Sequence, residues 1–363
     1  MRRTWLALAG MVLIGVHAPE AQKAPMTPVA PTATLRRADP LTLPGGVDSN
    51  SPLVWDREDG RSGLYVLTSI NGRPSRATGE YLTLLDQPRS VEIEPWPGGG
   101  VWMEAIVRDY DAWYGFYHNE NRAPGCGGRN LTYPRIGAAR STDFGATWTN
   151  LGIILDLPPE TFACSTSNRY FVGGVGDMSV LLDRRHRDFY IYFSQYARDR
   201  GQQGIGVARL AWADRDAPIG KLSVWSGGVW LPAALIEDDA GSRWVYPKAT
   251  PLVRPSKPWH DSDRAVDAFW GPSIHWNAWL GQYVMLLNRA SDEAFGQEGI
   301  YISFSPRLGD PLSWSAPLRI LAGGRWYPQV AGIEVGRGTD AWAGRIARFF
   351  MAGRSDYVIE FGR

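Results

Sequence analysis

The chain of 363 residues is poor in cysteine, with two, and in histidine, with five. Two isolated cysteines, Cys126 and Cys164, cannot supply the clustered thiolates of a structural metal site, so no metal site is expected from them. Charge imbalance is missing too: 38 Lys plus Arg face 37 Asp plus Glu. No basic cluster follows any predicted element, which excludes the electrostatic footprint of a nucleic-acid binder. The apolar run from Trp5 to Val16 is too short to span a bilayer as a permanent helix. What the chain has in plenty is aromatic surface, with 17 Trp and 15 Tyr.

The run from Trp5 to Val16 follows an Arg-Arg start and precedes small residues at Ala18 and Ala21, so Met1 to Gln22 reads as a secretory signal peptide. A secreted or periplasmic protein with no membrane contact after signal removal is expected. Export to an oxidising compartment makes Cys126 and Cys164 a disulfide pair. Lys23 to about Pro40 is rich in Pro, Ala and Thr without a period and reads as a linker, leaving 41–363 as a single domain.

One stretch within that domain shows the unit from which the rest is built. In Gly173 to Tyr196, Asp177 precedes a short apolar run (Met178 to Leu182), a charged turn follows, and Phe189 to Tyr196 alternates aromatics. This is a strand, a tight connection and an antiparallel strand. The same grammar recurs from Ser51 and Gly63, from Trp102 and Trp113, from Gly271 and Gln282, and from Tyr327 and Ala347. Five irregularly spaced units imply an all-β fold, a five-bladed β-propeller of four-stranded antiparallel blades. The last unit shows only three strands, so Ala33 to Arg37 is expected to complete its blade and close the ring, removing an exposed edge. Ser141-Thr142-Asp143-Phe144-Gly145-Ala146-Thr147-Trp148 fits the Asp-box pattern, a turn staple that marks a blade without carrying chemistry. Ile236 to Phe269 forms a long insertion, expected to cover the propeller mouth.

Inner strands of a propeller run side by side about one axis, so residues at the same phase of each unit converge. Those residues are Asp48, Glu104, Asp177, the Ser273/His275 pair and Gln329. Three carboxyls from three blades suit glycosidic hydrolysis, with one acid, one base or nucleophile and a third group tuning the others. His118, Glu120, Trp102, Trp270, His275 and Gln329 are expected to contact the sugar, with tryptophan faces stacking on its rings.

The organisation resembles the five-bladed propeller glycoside hydrolases, the superfamily of family 43 arabinanases and xylosidases and family 32 fructosidases. The resemblance implies Asp48 as base or nucleophile, Glu104 as modulator and Asp177 as general acid. Those families usually carry Asp in blade two and Glu in blade three, the reverse of this chain, and some relatives use a His as acid, which keeps His118 and His275 in view. The implied protein is a secreted, monomeric glycoside hydrolase on a poly- or oligosaccharide, needing no cofactor, with a structural or central Ca2+ left open. A carbohydrate-binding propeller without catalysis and a sialidase-like enzyme, which would need three arginines at the pit, are the alternatives.

Overall fold

The computed structural model describes residues 30–123, 125, 126, 131–238, 241–257, 259, 260 and 265–363. The expected signal peptide and part of the expected linker lie outside them. Five antiparallel sheets follow one another along the chain. Their inner strands are Leu53–Glu58, Gly100–Arg108, Val175–Leu182, Phe269–Asn277 and Pro328–Gly332. The five-bladed propeller expected from the repeats is the fold.

Thr32–Thr42 pairs antiparallel with Arg354–Gly362, in register from Thr32 against Gly362, and forms the outer strand of blade five. Ala33 to Arg37 lie within it, so the ring is closed as expected. The strand also corrects the linker boundary. Residues 32–40 belong to blade five: alternate positions are shielded, and Ala33 and Leu35 pack on the core between blades four and five. The Pro- and Thr-rich composition hid this, because an edge strand tolerates Pro40 where an inner one would not. Four sheets carry a fifth strand beyond the four of the repeat.

The second strand of each blade carries a buried, largely apolar run because both its faces are covered. In Trp113–Arg122, Tyr114 and Phe116 belong to the core shared with blade three, while Trp113 and Tyr117 belong to the core shared with blade one. Each seam between blades has its own buried cluster. Phe116 meets Phe189 edge-on at 5.3 Å across the seam of blades two and three, and burying each such ring stabilises the pair of blades by roughly 1.5–3 kcal/mol. The Asp-box segment forms the expected staple: Asp143 accepts hydrogen bonds from Thr147 N (2.9 Å) and Thr147 Oγ1 (2.7 Å), and Trp148 packs beneath, its Nε1 donating to Gly145 O.

The axis is plugged by side chains from blade one. Asn50 donates from Nδ2 to Met178 O in blade three and Pro272 O in blade four, each at 2.9 Å. Ser51 exchanges both backbone hydrogen bonds with the Gln329 amide, N to Oε1 at 2.6 Å and Nε2 to O at 2.8 Å, which clasps blade five to blade one.

Cys126 and Cys164 are bonded, with Cα atoms 5.1 Å apart and a sequence separation of 38. The bridge ties the loop after the blade-two hairpin to the segment leading into Asp177. Reduction is expected to cost about 2–4 kcal/mol through the freed loop. Thermal melting with and without a thiol reductant reads this directly, and an unchanged midpoint with both thiols shown free by mass spectrometry would contradict it.

Candidate active site

Three inner strands carry one extra residue each at the same height. In blade two Met103 pairs with Tyr117 and Ala105 with Phe116, so Glu104 is the unpaired residue. In blade three Gly176 pairs with Ser194 and Met178 with Phe193, which leaves Asp177 unpaired, at φ 38°. In blade four the pairing passes from Trp270–Asn288 to Ser273–Leu286, again with one residue too many. A bulge bends the strand and re-aims the extra side chain, here toward the axis.

A bulged residue takes its amide out of the ladder, and a buried amide needs another acceptor. Two neighbouring side chains provide it. Asp177 N donates to His118 Nδ1 at 2.9 Å, and Met178 N donates to Glu104 Oε2 at 2.5 Å. Gly176 makes the approach of His118 feasible, because a Cβ there would stand 2.4 Å from Nδ1. Across the ring, His118 Nε2 pairs with Glu120 Oε1 at 3.1 Å. Tyr196 donates from its phenol to Asp177 Oδ2, which leaves the other carboxyl oxygen to carry a transferable proton. His118 Nδ1 lies 3.8 Å from Glu104 Oε1 and 3.7 Å from Asp177 Oδ1. Glu104, His118 and Asp177 are each no more than 3% exposed.

Asp177 forms the floor of a pit of about 360 Å3 whose other lining groups are Asp48, Glu120, Trp270 and a wall of Tyr170, Phe171, Phe295, Trp326 and Tyr327. Tyr170 is the exposed rim, meeting Trp326 edge-on at 6.1 Å. Part of the long insertion buttresses this wall: Trp259 stacks on Phe295 at 4.2 Å, and His260 hydrogen-bonds Thr166 and Tyr196 O. The rest of the insertion includes a separate hairpin, Ala234–Asp238 with Gly241–Val245; Asp261 and Asp263 fall outside the described residues.

Crowding sets the protonation. Burial pushes the Asp48 carboxyl up to about 6, aided by the charges of Asp177 and Glu120, while His118 and the nearby Trp102 indole oppose. Trp102 Nε1 itself is buried without a hydrogen-bond acceptor in range. Burial also raises Glu104 well above the ordinary carboxylate range, with Asp177 adding to it and His118 and the Met178 N–H opposing. Asp177 is raised by burial against the pull of His118 and the Tyr196 hydroxyl. For His118 burial acts downward but is outweighed by the hydrogen bond to Glu120 and the charges of Asp177, Glu120 and Glu104, which raise its basicity to about 9. The hydrogen-bond geometry sets the opposite state. Nδ1 receives an amide hydrogen, so it carries none, and His118 is the neutral Nε2–H tautomer donating to Glu120. The proton that the cluster retains then sits on the buried carboxyls.

The structure brings Asp48, Glu120, Asp177 and Trp270 to the pit and sets Glu104 behind Asp177. Trp102 is half-buried with its ring edge-on to His118 at 5.4 Å. The other expected sugar contacts are corrected. Both nitrogens of His118 are engaged and the ring is buried, so it braces the bulge and is not a free acid. His275 is fully buried beside Phe361 of blade five, burial holding it down to about 3. The extra residue at 271–272 flips the parity of the strand, turning His275 to the seam. Gln329 is spent on the ring-closing clasp. Asn50, Tyr196 and the loop aromatics were not foreseen. Loops carry no period from which to place Tyr170, Phe295 or Trp326, although Tyr196 ends the aromatic strand that follows Asp177.

Oxygen and nitrogen atoms of Glu104, His118 and Asp177 lie within 4.8 Å of one another. Ca2+ takes six to eight oxygen ligands. Two carboxyls and a ring nitrogen already holding an amide hydrogen do not fit it. Among the described residues no arginine lines the pit.

No protein-family model matches the sequence, and a search of curated proteins finds no match. A solved structure does show the same fold. An endo-arabinase from Bacteroides thetaiotaomicron superposes with TM-score 0.50 at 12% identity, over 88% of this chain and 96% of its own. The catalytic domain of a GH62 alpha-L-arabinofuranosidase from Coprinopsis cinerea aligns with TM-score 0.48 at 10% identity, over 90% of this chain and 96% of its own. At such identities the likeness is one of fold: this chain is a five-bladed propeller of the architecture that the endo-arabinase has.

Proposed function

We propose that the chain is a glycoside hydrolase that cleaves glycosidic bonds of an oligo- or polysaccharide by acid–base chemistry between Asp177 and Asp48. The observation that carries this reading is the convergence of carboxyls from three blades on one aromatic-walled pit. Asp177 stays protonated beside its neighbours and gives its proton to the departing glycosidic oxygen. Asp48, at the mouth and ionised above about pH 6, acts on the anomeric centre, as base through water or as nucleophile. Glu104 is the modulator: it accepts the Met178 amide hydrogen and so holds the bulge that aims Asp177. His118 is a positioning residue through the Asp177 amide.

The pit is small, so no more than one terminal or branching sugar ring enters at a time. Its aromatic wall supports stacking on the apolar ring face. The reaction needs no cofactor, the protein acts as a monomer, and the disulfide supports secretion or a periplasmic site. The test is a panel of aryl glycosides led by alpha-L-arabinofuranosides and xylosides, followed by arabinan and xylan, with and without EDTA. Release of aryl alcohol from at least one glycoside, unaffected by EDTA, is expected. Binding of glycans with no hydrolysis of any of them would replace this reading by a carbohydrate-binding propeller.

A further inference from the structure

The inner strands run from the pit toward the opposite face of the ring, where their ends surround a second cavity of about 970 Å3 of open space. Asn50 and the Ser51–Gln329 clasp close the axis between the two. The far cavity is lined by Trp55, Leu182, Trp276 and three exposed arginines, Arg108, Arg184 and Arg337. Arg108 is neutralised by Asp56, Nε to Oδ1 at 2.9 Å. The other two are held differently. The Arg184 guanidinium lies over the Trp276 ring at 4.4 Å, and that of Arg337 over Trp342 at 4.2 Å. Among the described residues neither has a carboxylate within ion-pair reach. Asp340, close by in sequence, is committed to the Leu53 N–H at 2.7 Å.

In a chain whose charges otherwise balance, two unneutralised guanidinium groups share one cavity. Stacking fixes each guanidinium plane but leaves its edge donors free, and that edge is the fork that matches a carboxylate. The apolar and indole surface beside it suits the C–H face of a sugar ring. Together they specify a ligand with a flat apolar face and a carboxylate on its rim. We propose that the far mouth of the channel is a second, non-catalytic carbohydrate site that takes a uronate residue of an acidic glycan. It does not depend on the chemistry assigned to the pit.

Isothermal titration calorimetry on the whole protein tests this with trigalacturonate, its methyl-esterified neutral counterpart and sulfate. Trigalacturonate is expected to bind, more weakly as salt rises, and to bind better than either control. The double variant R184Q/R337Q is expected to lose about tenfold or more in affinity. Both side chains are exposed, so its melting temperature should match the parent, and a melt taken beside the titration verifies that it is folded. Asp177→Asn should bind trigalacturonate as the parent does, which places the site away from the pit. The proposal is overturned if the neutral ester or sulfate binds as well as trigalacturonate, if the folded double variant binds unchanged, or if Asp177→Asn abolishes binding.

Discussion

Asp177→Asn is expected to lower turnover on the best aryl glycoside by on the order of a hundredfold or more, the usual contribution of a positioned general acid. Asparagine keeps the shape and still accepts the Tyr196 hydroxyl hydrogen bond at this position. The backbone hydrogen bond from residue 177 to His118 Nδ1 is untouched. What goes is the transferable proton and the charge. Stability should respond in the opposite sense. A carboxyl whose folded pKa is raised, as here by burial, costs nothing below the ordinary carboxylate range. It destabilises progressively as pH rises from the unfolded toward the folded pKa, and the penalty stays above it. Removing the charge lifts that penalty, so at pH 7 the variant should melt at or above the parental temperature. Turnover and melting measured on one preparation separate the cases: full activity removes Asp177 from the mechanism, and a lower melting point with intact turnover makes it a structural cap.

Asp48→Asn is expected to fall by a comparable factor, with a different signature in pH. The parental kcat/KM should rise about tenfold per pH unit below a break near 6, where Asp48 loses its proton. In the variant that break should vanish from the residual rate, since the group that titrates is gone. The Asp177 variant should keep the acid limb, since Asp48 is still there to titrate. Profiles from pH 4 to 9 on the three proteins decide this. A break near pH 6 that survives in Asp48→Asn would assign it to another group.

The blades were legible because their two inner strands are the most regular part of the sequence, an apolar run and an aromatic alternation covered on both faces. The three carboxyls were legible for a related reason, as polar residues where packing asks for apolar ones. Phase alone could not say which polar residues reach the axis. Glu104 and Asp177 reach it as the extra residues of bulges, and a bulge has no local sequence signal apart from a glycine such as Gly176. The bulge at 271–272 sends His275 to a seam instead. Gln329 shares the phase of the carboxyls but lies beside Ser51, and a neutral amide that can copy a strand's hydrogen bonds is captured by the backbone. The aromatic wall comes from loops whose positions are set by contacts such as Trp259 with Phe295, across long stretches of chain.

The pairing of Thr32–Thr42 with Arg354–Gly362 also fixes an order of events during synthesis. Blades one to four can form from hairpins that are local in the chain, as each emerges. Blade five draws on the first and last strands described, so it cannot exist until Arg354–Gly362 has been made. Until then the apolar faces of Leu53, Leu64 and Val66, which finally meet Ala331 and Phe350, stay bare, and blade one has no partner on that side. The nascent protein is therefore an open crescent with a sticky flank for nearly the whole of translation. Ring closure, the strand pairing of longest sequence range among the described residues, is expected to be the slow step of its folding.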